Sequence, residues 1–587
     1  MKDELDEAVG KDFIEKANAL TGEGDMFFVG LSHGQSPTGA YQYILDNYNK
    51  IKHHKLIYYT FVNSPLKRQR GLEGFTTANV FLHKLYKRGL VERCQILGDR
   101  MDRSNLEVFS ATLNKEVAAF LKKHHKTGLD YAILASDSNG QVAGITRSSE
   151  AFNSDEITTV VTHRTTAEVT ITPSFLLKTK HIAFLATKAD KRRPLAWLYY
   201  RWGQANQSPS FLRYIEDVEN RLTVYVDEKA LTWPQLTVTR NTPYGDTAIR
   251  VDMAKYYKPN AIKKLPVVLM VHGFLGLNTF DGLLTALPSH QYLAAAMHYG
   301  TIPDELPIEQ YSQHIVLNID ATIKYFGELG HDVYLFDHSM ANIYFLMMDR
   351  DFDELEGVNT YLKGRIGSNP FFGEEAKHAT LGFMDNVLLP SLSYLTQPLE
   401  KTIFYTLRGV VPLDSKKGVR RRAINLTHFL INQDSKIRDR LWSDIKKRMV
   451  QLMSNLGSLP HLDRIPIMQA LNKLPAKIPA IQIHSALEES KDFDFQQGLQ
   501  NFPLHNIPVL ILKSDKDIVA RFVPRLYDDG HTEVLDITNE KEPELFREHL
   551  YFMISPLKTA KYITRFINEV EASKMNIPDK KGRSEVA

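Results

Sequence analysis

Ser339 sits where an apolar strand, VYLF, breaks into a sharp turn before the helical stretch ANIYFLMM. A strand–turn–helix elbow lifts a serine hydroxyl to the end of a sheet and aims the next helix N-terminus at it. The dipole and free N–H groups of that helix favour negative charge developing there. Such a serine suits attack on an acyl carbonyl. The usual pattern around it is G-x-S-x-G, but here the residues are Asp337-His338-Ser339-Met340-Ala341. Ala341 is a mild replacement for glycine, and Asp337 is the harder one to fit. A second chemical signal lies far upstream, in MFFVGLSHGQSPTG at residues 26–39. It ends an apolar strand in a loop of small residues, whose N–H groups and hydroxyls suit a phosphate.

Both signals need sheets to position them. Short apolar strands alternate with helical patterns through most of the chain, which predicts an α/β fold with parallel sheets. Each strand-to-loop signal, the first at 26–39 and the second at LPVVLMVHGFLG (265–276), predicts a domain of its own. The stretch 213–236 keeps no single period, so the boundary is expected near 220, giving domains 1–220 and 221–587. From 371 to 504 apolar residues recur at helical spacing, which predicts a mostly helical cap inserted in the second domain.

Composition narrows the function. The 587 residues carry 72 Lys plus Arg against 69 Asp plus Glu, a net charge of +3, which argues against a nucleic-acid-coating protein. Mean hydropathy is −0.28, and no apolar run is long enough for a membrane span. The acidic opening, MKDELDEAVGKDF, lacks the apolar core of a secretory signal, so a cytoplasmic protein is expected. Cys94 is the one cysteine, which excludes internal disulfides and a cysteine-rich metal site; no cofactor or metal is expected. The basic run Lys416, Lys417, Arg420, Arg421 and Arg422 suits either a solvated face or peripheral contact with anionic lipid.

VVLMVHGFLGLN, the elbow, VLILKSDKDIVAR and a late histidine before a final helix occur in that order. Together they resemble the α/β-hydrolase family over about residues 235–575. The resemblance implies a triad of Ser339, Asp517 and His549, with Asp515 and His531 as rivals for the acid and base. His549 follows the apparent strand EVLDIT, whereas His531 precedes it. It also implies an oxyanion hole built from the N–H groups of Phe274 and Met340. The helical stretch 371–504 falls where that family inserts a lid.

The first half is similar to the glucosamine-6-phosphate deaminase and 6-phosphogluconolactonase group over about residues 8–215. Gly34, Ser36 and Pro37 match its opening loop, and Lys191, in ATKADKRRPL, falls on its phosphate-contacting lysine. The proton-moving positions depart from the pattern. Where the group carries Asp-Glu this chain has Asn63-Ser64, and where it carries Asp-Gly-His this chain has Asn139-Gly140-Gln141. Neutral amides cannot serve as general bases. Asp137 and His33 are the nearby titratable groups.

The expected architecture is therefore a sugar-phosphate isomerase-like doubly wound domain followed by an α/β-hydrolase domain with a lid. The leading functional expectation is a serine esterase or lipase-like enzyme acting on a small-molecule ester or lipid. An acyltransferase with the same triad is one alternative. The other is a non-catalytic regulatory protein with both domains degenerate, binding a sugar phosphate through Gly34, Ser36 and Lys191.

Overall fold

The computed structural model describes residues 2–65, 77–99, 105–137, 140–145, 149–162, 167–199, 221–259, 264–273, 280–288, 291–303, 305–307, 310–339, 341–370, 507–514, 532–537 and 555–575. The chain divides into two compact units, Met1–Trp233 and Pro234–Ala587.

The first unit is built on a parallel sheet of β1 (Phe27–Leu31), β2 (Ile57–Phe61), β4 (Tyr131–Ala135), β7 (His181–Ala186) and β8 (Leu222–Val226), in the order β2-β1-β4-β7-β8. Both faces are covered, so β1 reads as a continuous apolar run with all five residues buried. Alternation still sorts its side chains. Phe27, Val29 and Leu31 pack with Val9, Phe13 and Tyr41 of two helices (Lys2–Gly22 and Thr38–Asp46), while Phe28 packs with Phe109 and Val117 of a third (Leu106–Lys123). A small antiparallel sheet joins β3 (Asn63–Pro65), β6 (Ala167–Ile171) and β5 (Thr158–Thr162), with β6 in the middle.

The first unit runs past the expected boundary at residue 220, because β8 completes its sheet beside β7. The signal was weak for a physical reason. The strand lies at the sheet edge with four of its five residues half-buried and one exposed, so neither a solid apolar run nor a clean alternation marks it.

The second unit contains an eight-stranded sheet ordered β16-β15-β14-β13-β11-β12-β10-β9. These strands are β9 (Gln235–Thr242), β10 (Gly245–Met253), β11 (Val267–Val271), β12 (Leu293–Met297), β13 (Val333–His338), β14 (Leu362–Ser368), β15 (Val509–Lys513) and β16 (Thr532–Asp536). β9 and β10 form an antiparallel hairpin, β10 also runs antiparallel to β12, and the remaining pairs are parallel. All five residues of β11 and all six of β13 are buried. The helix Pro556–Met575 buries Ala560, Ile563, Phe566 and Ile567, with Phe566 over Gly364 of β14. The expected cap at 371–504 lies outside the described residues, as do Lys416, Lys417, Arg420, Arg421 and Arg422.

Each sheet reverses its winding at one point. In the first, β2 lies on one side of β1 and β4 on the other; in the second, β12 and β13 flank β11. In open parallel sheets, ligands bind in the crevice outside the carboxyl ends of the strands at such a point.

Candidate functional site

In the second unit the crossover point is occupied by the elbow. Ser339 follows β13 directly, with φ +54°, and the helix Ala341–Arg350 begins two residues later. A non-glycine residue rarely adopts this left-handed backbone, and it persists only where its surroundings over-determine it. Three hydrogen bonds do so. The Ser339 N–H donates to the Ser368 carbonyl at 3.0 Å, and the Asn342 N–H donates to the Ser339 carbonyl at 3.2 Å. His338 Nδ1–H donates to the same Ser368 carbonyl at 3.0 Å, which fixes its tautomer. Ser339 is 2% exposed, and its Oγ has no hydrogen-bond partner among the described residues.

The loop after β11 presses against the elbow. A Cβ placed on Gly273 would stand 2.6 Å from the His338 carbonyl oxygen. His272, at the end of β11, is buried and donates from Nδ1 to the Gly273 carbonyl at 3.2 Å. Burial, with a contribution from nearby His298, pushes its imidazole down to about 3. The Tyr299 hydroxyl donates to the His272 carbonyl, and the two rings lie 4.0 Å apart. On the other side, Asn369 Oδ1 accepts from the Ser514 N–H at 3.1 Å. That bond ties the end of β14 to the end of β15, from which the chain continues toward Asp515 and Asp517.

Asp337, the awkward residue of the motif, has a specific partner. Arg365 on β14 donates from Nε to Asp337 Oδ1 at 2.6 Å and from Nη2 to Oδ2 at 2.8 Å. Both side chains are buried, at 0% and 1% exposure. Sequence reading missed Arg365. Its signal was a cation in the apolar strand LKGRIGS matched by an anion in the apolar strand VYLFDH. Of the residues expected at this site, Ser339 is described; Asp517, His549, Phe274 and Met340, with the rivals Asp515 and His531, lie outside the described residues.

The first unit's crossover point opens into a cavity of about 410 Å³. Gly34, Ser36 and Lys191, expected to face a phosphate, all line it. Gly34 has φ +128° and its N–H donates to Thr77 Oγ1 at 3.0 Å, which pins the loop. Lys191 Nζ is 3.1 Å from Asp190. Asn63 and Gln141 line the cavity as well, and so does Glu168, a buried residue absent from the sequence argument. Asn63 Nδ2–H donates to Glu168 Oε2 at 2.9 Å, and its Oδ1 accepts from the His33 N–H at 3.3 Å. His33 Nε2 lies 3.6 Å from the same carboxylate. Ser32 and Ser136 present buried hydroxyls to the cavity wall with no partner among the described residues.

No family model matches this chain, and no curated protein does. Among solved structures it is similar to a 6-phosphogluconolactonase from Thermotoga maritima, with 18% identity, 38% of this chain and 94% of that chain covered, and a TM-score of 0.31. A 6-phosphogluconolactonase from Trypanosoma cruzi shows 18% identity over 39% of this chain and 92% of that one, with a TM-score of 0.34. A monomeric glucosamine-6-phosphate deaminase shows 14% identity over 39% and 96%, with a TM-score of 0.32. These likenesses fall on the N-terminal part of the chain. Among the described residues, no helix is long and apolar enough to cross a membrane, and no group of three or more His, Cys, Asp or Glu could hold a metal ion.

Proposed function

We infer that the second unit is a serine acyl hydrolase of the α/β-hydrolase type, cleaving a carboxylic ester through Ser339. One observation carries this reading: a serine held at φ +54° at the end of a central strand, with its hydroxyl free of partners among the described residues. Backbone strain of this kind costs about 1–3 kcal/mol and clusters at reactive centres. Support also comes from the place of Ser339 at the crossover of β11 and β13, where open sheets bind ligands.

In the proposed reaction Ser339 Oγ attacks the acyl carbonyl while His549 takes its proton and Asp517 orients the imidazole. The Met340 and Phe274 N–H groups stabilise the oxyanion. Collapse expels the alcohol with the proton returned by His549, and water then releases the acid by the reverse path. An alcohol in place of that water would make the same centre an acyltransferase. A fluorophosphonate probe tests the assignment. Labelling of the folded chain that disappears in Ser339→Ala supports it; no labelling, or labelling that survives the substitution, refutes it.

The first unit supports a second reading, a cavity that binds a sugar phosphate without converting it. The observation in its favour is that Gly34, Ser36 and Lys191 meet in one cavity, where the neutral amides Asn63 and Gln141 stand at the positions expected to move protons, although His33, Asp137 and Glu168 line it too. Lys188 lines the cavity beside Lys191, and the phosphate belongs with these two cations rather than with the Glu168 carboxylate. A thermal-shift series with 6-phosphogluconate tests this, since a bound ligand stabilises by RT ln(1 + [L]/Kd). A rise in melting temperature that is lost in Lys191→Ala is expected; no rise at millimolar ligand removes the reading.

A further inference from the structure

We propose that Arg365 is a positioning residue for Ser339, acting as a clamp that holds both limbs of the elbow from the neighbouring strand. The inference rests on the hydrolase reading of Ser339 and goes beyond it, because Arg365 lies on β14 and belongs to no part of the expected triad.

The geometry is specific. The fork of the guanidinium takes both oxygens of Asp337, which precedes the serine on β13. Its Nη2 also donates to Oδ1 of Asn342, which follows the serine on the helix Ala341–Arg350. One further turn along that helix, the Phe345 ring lies under the guanidinium, with its centroid 3.4 Å from Cζ. One planar cation therefore touches the strand that enters the turn and the helix that leaves it. Asn342 is fully buried, and its own N–H closes on the Ser339 carbonyl. A guanidinium suits this task because its donors are fixed in one plane; a lysine ammonium could satisfy one limb but not both.

The clamp also accounts for Asp337 in an elbow position that usually holds glycine. The left-handed backbone of this turn is carried by Ser339, two residues after Asp337, under external restraint. Misplacing a reacting group by about 1 Å can cost on the order of a hundredfold in rate. The restraint therefore acts on the rate of attack rather than on the affinity for the acyl compound.

The experiment measures fluorophosphonate labelling of Ser339 in the full chain, resolved into the maximal labelling rate and the probe concentration at half-maximum. Three proteins are compared: the parent, Arg365→Lys and Asn342→Ala, each checked for folding by near-UV circular dichroism. The clamp predicts a maximal rate lower by at least about tenfold in Arg365→Lys, with half-maximal concentration unchanged. Asn342→Ala, which removes one limb only, should fall between the two. If Arg365→Lys does not fold, Asn342→Ala decides alone: a lower maximal rate supports the clamp and a parental rate refutes it. A folded Arg365→Lys labelled at the parental rate also refutes it, as does a change confined to the half-maximal concentration. An unlabelled parent is a different failure, since it removes the hydrolase reading first and the clamp with it.

Discussion

Gly273 and Ser339 are in near contact across two strands: a Cβ added to Gly273 would lie 2.9 Å from the Cβ of Ser339. A side chain at Gly273, two residues past β11, would have no room beside the His338 carbonyl and the Ser339 Cβ at the end of β13.

Gly273→Ala should therefore disturb the elbow directly. The nearest obstacle is backbone, the His338 carbonyl at 2.6 Å, so the neighbour cannot simply rotate away. Overpacking of this kind costs about 1–3 kcal/mol. The expected outcome is a lower melting temperature with a reduced rate of fluorophosphonate labelling at Ser339. A variant with parental stability and labelling would show that the two strand ends are further apart.

Ser339→Gly should separate stability from reactivity. Removing the Cβ relieves the left-handed strain, of about 1–3 kcal/mol, and gives back about 0.5–1 kcal/mol through the greater freedom of glycine in the unfolded chain. The net expectation is a gain of about 1 kcal/mol in urea unfolding, with labelling abolished. A loss of stability would count against strain at this residue.

His272 predicts a pH dependence. Its folded-state value near 3 lies below the ordinary histidine range, so between about pH 6.5 and 3 the unfolded chain binds a proton that the folded chain does not. Stability from this group is complete above that window and falls as the pH drops through it, at no more than about 1.4 kcal/mol per pH unit. Urea midpoints of the parent and of His272→Gln, compared at pH 7 and pH 5, should converge as the pH falls. Equal pH slopes for the two proteins would contradict a buried neutral imidazole.

Asp130 is the matching test in the first unit. Its buried carboxylate lies 2.6 Å from Lys126 Nζ and 3.0 Å from Lys180 Nζ, and accepts from the Phe28 N–H at 2.9 Å. Asp130→Ala strands the nearly buried Lys126 ammonium, a change that costs about 3–5 kcal/mol. Hydrogen exchange at the amides of β1 and β4 should accelerate accordingly. Unchanged protection there would show that the pair carries no net stability.

The central strands were legible because burial on both faces writes them as unbroken apolar runs, VVLMV and VYLF among them. Ser339 was legible for a related reason: a polar residue between such a strand and a helix marks a turn. The Asp337–Arg365 pair was not, because it depends on β13 and β14 being neighbours, which strand order decides and residue spacing does not. Glu168 escaped as well. In AEVTI a single charge among apolar residues looks like the solvent-facing side of a strand, yet the β6 side chain faces the cavity. The end of the first unit was hard to read because its last strand, at the edge, is only half-buried.

The Asp337–Arg365 pair also bears on how this chain can change over generations. Loss of either residue alone leaves the other charge buried without its counterpart, a penalty of about 3–5 kcal/mol in a protein that has only about 5–15 kcal/mol of stability to lose. Drift to glycine at position 337 is therefore closed to single substitutions. Any lineage that inherits this pair should keep both members or show both replaced together, so the two positions form one heritable unit.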